Sequence, residues 1–227
     1  MLVDDILLEI SALQNEDIKN SYLKFFKEET INKSEFLGVK IPSIRALSKK
    51  YYKKLLLSQI EKILQNSFHE IRYFALSCLV LRAQNKKEIA EIEKIYLKNL
   101  EYINNWDLID ISAPYILKNS ENKLILKLIK SDVFWVRRVG ILSQLANIRN
   151  GKFEFFIKIA EILINDEEDL IQKPLGWLLR EVGKVDLVIL ENFLEKYANV
   201  MARVALRYAI EKFDKEKRQK YLKIKKA

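Results

Sequence analysis

A single cysteine, Cys78, and a single histidine, His69, are the scarcest chemistry in this chain of 227 residues. One thiol cannot close an intramolecular disulfide, and one thiol with one imidazole cannot furnish a structural zinc site. Within ALSCLVL, Cys78 reads as a small core residue, and His69 reads as a helix-start or surface residue. Gly and Pro are also scarce, at five and three, which disfavours an all-β chain with its many hairpins. The glycines at positions 38, 140, 151, 176 and 183 stand singly, so GxGxxG, Walker and GxSxG loops are absent, and HExxH is missing too. No cofactor and no metal is expected, and any catalysis would be carboxylate-based or electrostatic. The N-terminal MLVDDILLEISALQ carries Asp4, Asp5 and Glu9 where a signal peptide needs positive charge. No uncharged apolar run approaches the ~18 residues of a membrane span. A cytoplasmic protein without a membrane partner is expected.

What the chain does hold is 49% apolar and 31% charged residues, an ordinary globular composition. Apolar residues recur at three-and-four spacing after residue 40. Leu56, Ile60, Ile63 and Leu64 would share one helix face, and Phe155, Ile159, Ile162 and Leu163 another. Breaks fall at short polar clusters, QNSFH, QNKKE, YINN, NSEN, KSD, NIRNG, NDEED and GKVD, whose Asn, Asp and Ser suit helix caps. Loops this short make successive helices antiparallel neighbours.

The second helix of each pair looks self-similar. A cation precedes a small residue by three positions in Arg72 to Ala75, Arg137 to Gly140 and Lys173 to Gly176, while Ala205 follows Arg203 by two. From Ala75 through Gly140 and Gly176 to Ala205 the separations are 65, 36 and 29 residues, and Ala113 divides the first. A period of roughly 32 residues made of two helices is the signature of an α-solenoid, each pair burying its face on its neighbours. The fold expected is therefore all-α, a solenoid of HEAT-like antiparallel helix pairs with a concave cleft lined by second helices. It would form a single domain over 1–227, with capping helices in 1–55, repeats in 56–213 and a basic helix or tail in 214–227. The small residues would let second helices pack closely on one another.

The formal charge of +9 suggests an anionic partner. Residues 203–227 hold 10 of the 40 cationic and 3 of the 31 acidic residues, or +7, so residues 1–202 carry only +2. The basic run at the end reads as a solvated tail.

One constellation stands out on the second helices. In NNWDLIDISAP, Asn104 or Asn105 can cap a helix, and Asp107 in its first turn suits the positive end of the helix dipole. Asp110 lies four residues after Trp106, so carboxylate and indole project from one face. Read alone, Asp110 is a surface or salt-bridged residue and Trp106 a core residue. Trp135 precedes Arg137 and Arg138, however, and Trp177 lies near Lys173 and Arg180. Cations and aromatics on one surface suit a nucleic-acid backbone, the cations for phosphates and the indoles for π-faces.

The ordered series FLGVKIPSIRALSK, NNWDLIDISAP, SDVFWVRRVGIL and QKPLGWLLRE over residues 36 to 181, with MARVALRYAIEKF after it, resembles the AlkD-like DNA alkylation repair proteins, which are HEAT-like repeat DNA glycosylases. The resemblance covers residues 16 to 222. It implies excision of positively charged alkylated purines, N3-methyladenine and N7-methylguanine, from duplex DNA by hydrolysis of the N-glycosidic bond, without metal or cofactor. It also implies Asp110, Trp106 and Trp177 as catalytic residues and Arg138 as the cleft arginine. Arg137, Lys173, Arg180 and Arg203 join Arg138 as candidate DNA-binding cations, and a monomer is expected. Three departures accompany the match: Asn105 stands where a second aromatic can occur, Pro174 where a small helix-compatible residue can occur, and the segment between Tyr22 and Gly38 is longer than in the shortest members.

Two other functions fit a helical solenoid. One is a non-catalytic scaffold binding DNA or protein partners, which would have no need of a carboxylate between indoles. The other is an RNA-binding repeat protein, which would need a repeated pair of base-reading residues; only a repeated cation is present.

Overall fold

A computed structural model describes residues 2–25 and 35–224 of the chain. It is all-helical, with no strand among the described residues, and divides into two compact units, residues 1–112 and 113–227. The first unit comprises α1 (Leu2–Ser11), α2 (Glu16–Leu23), α3 (Ile41–Tyr51), α4 (Leu57–Leu64), α5 (His69–Arg82), α6 (Ile89–Lys98) and the start of α7 (Trp106–Ile116). The second takes the rest of α7 and then α8 (Asn122–Ile129), α9 (Phe134–Leu142), α10 (Leu145–Arg149) and α11 (Glu154–Leu163). It ends with α12 (Asp169–Val185), α13 (Leu187–Tyr197), α14 (Arg203–Ala209) and α15 (Lys215–Leu222). No helix among the described residues is long and apolar enough to cross a membrane.

In the first unit α3 and α4 both pack on α5, whose face of Ile71, Phe74, Ala75, Cys78 and Leu79 is fully buried. Cys78 is thus a core thiol, and burial pushes its pKa up to about 12. The loop before α3 is fixed by a buried carboxylate. Glu70 accepts hydrogen bonds from the amides of Leu37, Gly38 and Val39 at 3.0, 2.7 and 3.3 Å. Gly38 turns through φ +77° there, and a β-carbon at this position would lie 2.1 Å from the Asn15 carbonyl oxygen. Only glycine meets both demands.

In the second unit α8 packs on α9, while α9, α10, α11, α13 and α14 all pack on α12. The small residues expected at close crossings are buried, but they do not all do the same thing. A β-carbon on Gly176 would lie 2.2 Å from the Ala205 carbonyl, so α12 and α14, two second helices, do meet backbone to backbone. Gly140 instead admits Ile129 of its own pair partner α8, 2.9 Å from where its β-carbon would be. Gly183 likewise makes room for Leu190 on α13.

The recurring cation has a repeated structural task. Arg72 donates from Nη1 to the carbonyls of Asn66 and Ser67, six and five residues earlier; Arg137 donates from Nη1 to those of Ser131 and Asp132, at the same offsets. In the next pair Gln172 takes this role, its amide reaching the carbonyls of Asp166 and Leu163 at 2.7 and 3.0 Å. Each such side chain binds carbonyls left exposed where the preceding helix ends and the chain turns.

Several expectations need correction. Leu56 is 67% exposed and precedes α4 rather than sharing its buried face. On α11 the buried face is Phe156, Ile159, Ala160 and Leu163, one position round from the expected one, and Ile162 is exposed. The NIRNG and GKVD breaks begin inside helices, since α10 runs to Arg149 and α12 to Val185. Neither cluster contains a proline that would have stopped the helix earlier.

Most of the C-terminal basic segment is an ordered helix rather than a tail; residues 225–227 lie outside the described residues, as do residues 26–34 of the lengthened segment after Tyr22.

Candidate active site

Helix α7 opens at a buried Asn105, whose Oδ1 accepts the Trp106 amide at 2.7 Å. Asp107 follows, and it does more than face the helix dipole. Its Oδ1 accepts the Leu108 amide at 2.8 Å and its Oδ2 lies 2.8 Å from His69 Nε2. His69 begins α5 as expected, but it is not a surface residue: it is 2% exposed and stacks on Phe36 with ring centroids 4.6 Å apart. The imidazole and carboxylate thereby tie the first turns of α5 and α7 together.

One helical turn on from Trp106, Asp110 is half-buried. Trp106 and Asp110 line the same cavity of about 410 Å³ within the first unit, together with Asp107, Tyr22, Phe25 and Tyr73 among others. Among the described residues, the cation facing the carboxylates is Arg45, whose Nε and Nη2 donate to the Tyr73 hydroxyl at 3.2 and 3.0 Å. Tyr73 is buried, and that burial raises its pKa against the lowering effect of Arg45. The Tyr22 hydroxyl accepts the Ile41 amide at 3.2 Å, fixing its ring on the rim and giving it a definite place. Beneath α7, Tyr96 is fully buried and shares a 2.9 Å hydrogen bond with Ser112. Its phenol is driven well above the ordinary range, first by burial and in part by the nearby charge of Asp110. The result is a half-buried carboxylate beside aromatic rings, where an electrostatic interaction is stronger than in bulk solvent.

The other singled-out residues lie in the second unit. Arg138 is buried at 6% exposure, and its Nη1 donates to the Leu170 carbonyl at 2.7 Å. The reason lies four residues further on: Pro174, inside α12, has no N–H to offer that carbonyl. The proline and the arginine are therefore one arrangement. Trp177 is half-buried, its Nε1 donating to Glu181 at 3.3 Å, and Glu181 is in turn paired with Lys184 at 2.5 Å and Arg149 at 3.4 Å. Lys173 is half-buried on the same helix. Arg137 is held by Asp166 at 2.7 Å, Arg180 by Glu211, and Arg203 by the Leu222 and Ile224 carbonyls at 2.6 and 3.1 Å. Those three guanidinium groups are engaged within the protein. Trp135 is a core residue against Phe134.

Sequence reasoning found Trp106 and Asp110 but missed Arg45, Tyr73, His69 and Phe25 as cavity residues. Arg45 is exposed on α3, one position after the buried Ile44, and nothing in IPSIRALSK marks it as a cavity residue. His69 and Asp107 are 38 residues apart, and no local spacing joins them.

A family model described as DNA alkylation repair enzyme matches residues 6–213. No curated protein matches the chain in sequence. Among solved structures, it is similar to a predicted DNA alkylation repair enzyme from Enterococcus faecalis, at TM-score 0.71 and 22% identity, over 89% of this chain and 97% of that one. It is also similar to smu.31 from Streptococcus mutans UA159, at TM-score 0.56 and 18% identity, over 77% and 93%. AlkD2 from Streptococcus mutans matches at TM-score 0.55 and 16% identity, over 94% and 98%. At these identities the likeness is one of fold.

Proposed function

The chain belongs to the DNA alkylation repair enzyme family, and from that premise we propose that it is a DNA glycosylase excising cationic alkylated purines from duplex DNA. The observation that carries this reading is the pairing of Trp106 and Asp110 on one face of α7 in a single aromatic-walled cavity. A purine alkylated at N3 or N7 bears positive charge, so it leaves as a neutral base and needs no general acid. What the reaction does need is help for the deoxyribose, which becomes cationic as the bond breaks.

Asp110 is the group proposed to supply it. A preorganised carboxylate stabilises charge that exists only in the transition state, and it can also orient the attacking water. Trp106 would pack against the sugar and offer its π-face to the positive charge; Trp177, in the second unit, is proposed separately as a further aromatic that meets DNA. No metal or cofactor enters the scheme. Arg138 and Lys173 are the cations proposed to face phosphates, and duplex DNA bearing the lesion is the proposed partner of a monomeric protein. Arg138, like Arg137, Arg180 and Arg203, already has intramolecular partners that a phosphate would have to share or displace.

The deciding experiment is chromatographic detection of N3-methyladenine and N7-methylguanine released from methylated duplex DNA under single-turnover conditions. Asp110→Asn should slow release by on the order of 3 kcal/mol, or roughly a hundredfold, the scale for one preorganised electrostatic group. Release by neither protein would replace this reading with a non-catalytic DNA-binding or scaffold role.

A further inference from the structure

Helix α15 is short, strongly basic and firmly tied down, a combination a solvated tail would not show. Its start is capped by Asp214, whose carboxylate accepts the Lys217 amide at 2.8 Å. Its end is held by Arg203 of α14, donating to the Leu222 and Ile224 carbonyls. Between them Tyr221 is 4% exposed and rests against Phe213 with ring centroids 5.6 Å apart, and Lys217 is paired with Glu191. Together these interactions fix the rotation of the helix about its axis.

With Tyr221 turned inward, the outward side carries Lys215, Lys220 and Lys223, all exposed, with Glu216 among them; Arg218 is exposed on the flank. These charges are not consumed by the fold. No apolar side chain on α15 is exposed, so it lacks the face by which an amphipathic helix inserts into a lipid surface. Nor does it present an exposed aromatic ring on which unpaired bases could stack. What fits a set of ammonium groups spread over the outward side of an anchored helix, without either feature, is the phosphate backbone of a duplex.

We propose that the outward face of α15, centred on Lys215, Lys220 and Lys223, is a sequence-independent contact surface for the phosphate backbone of duplex DNA. None of its residues lines the cavity of Trp106 and Asp110, so it serves retention on DNA rather than excision. Holding the cations on a pinned helix, rather than a loose segment, lowers the ordering cost that binding must overcome.

The test uses the full chain and an undamaged duplex of mixed sequence, read by fluorescence anisotropy over a range of salt concentrations. The triple variant Lys215→Gln, Lys220→Gln, Lys223→Gln should bind more weakly, and its plot of log affinity against log salt should be shallower by about 2 to 3, at ~0.9 for each phosphate no longer neutralised. Glu216→Gln removes the acid from the same face and should bind a few-fold tighter at low salt, a gain that misfolding cannot produce. Unchanged affinity and slope in the triple variant would overturn the proposal. So would a loss confined to anionic phospholipid vesicles or to single-stranded RNA of the same length. Because the probe carries no lesion, a protein that excises nothing yet loses the slope would refute the glycosylase reading and leave this surface standing.

Discussion

Arg138 and Pro174 should be energetically coupled, and the coupling can be worked out from the structure. Pro174 costs α12 an internal hydrogen bond, a penalty of roughly 3 kcal/mol for a proline inside a helix, and leaves the Leu170 carbonyl without its amide. Arg138 Nη1 supplies the replacement at 2.7 Å. Hydrogen bonds from charged donors contribute about 1.5 to 3 kcal/mol, and a polar group left unsatisfied costs a similar amount. Arg138→Ala alone should therefore lower unfolding stability by about 2 to 3 kcal/mol. Pro174→Ala restores the amide and should leave stability unchanged or higher. In the Pro174→Ala background the carbonyl has its helical partner again, so Arg138→Ala should cost about 1 to 2 kcal/mol less than in the parent. Urea denaturation of all four proteins, followed by far-ultraviolet circular dichroism, closes the double-mutant cycle. Additive costs, within about 0.5 kcal/mol, would mean that Arg138 is not compensating for the proline and is retained for some other interaction.

Other substitutions probe the supports of the candidate site. Gly38→Ala should destabilise by several kcal/mol or prevent folding, since it combines strain at φ +77° with a 2.1 Å approach to the Asn15 carbonyl; a protein of normal thermal midpoint would contradict that. Glu70→Gln leaves the loop amides one good acceptor oxygen instead of two and should lower the midpoint by several degrees. Glu181 has its pKa lowered: burial pushes it up, but Lys184 and Arg149 more than offset this. Its contribution to stability should be present above about pH 4.5 and fade as pH falls through the lower folded-state value. The stability gap between parent and Glu181→Gln should accordingly narrow under acid, and a gap that widens below pH 4 would reverse the assignment.

The fold class was legible because it rests on periodicity, which repeats over many residues and averages out local errors. The failures have local causes. Leu56 is apolar and in phase with Ile60, Ile63 and Leu64, yet it lies before the first turn of α4, where phase no longer sets burial. On α11 seven of the ten residues are apolar, so Phe155 and Phe156 offer two competing faces and the sequence has no means of choosing. In the site, Trp106 and Asp110 were legible because four residues on one helix are neighbours whatever the tertiary structure. Arg45, Tyr73 and His69 reach the same cavity from α3 and α5, through packing that only the folded chain defines.

The repeated cation shows how one recurrence can carry two readings. Arg72 and Arg137 recur at matching positions, and with indoles close by a polyanion site is a natural inference. In the structure both grip carbonyls six and five residues back, and where Lys173 replaces the arginine, the neutral Gln172 next to it performs the task. A role that glutamine fills needs donors rather than charge. It follows that charge should be dispensable at position 137 so long as a donor remains: Arg137→Gln should retain more stability than Arg137→Met, which matches its length but cannot donate. If the two variants denature at the same urea concentration, the hydrogen bonds to Ser131 and Asp132 are not what keeps a donor there, and the ion pair with Asp166 must be.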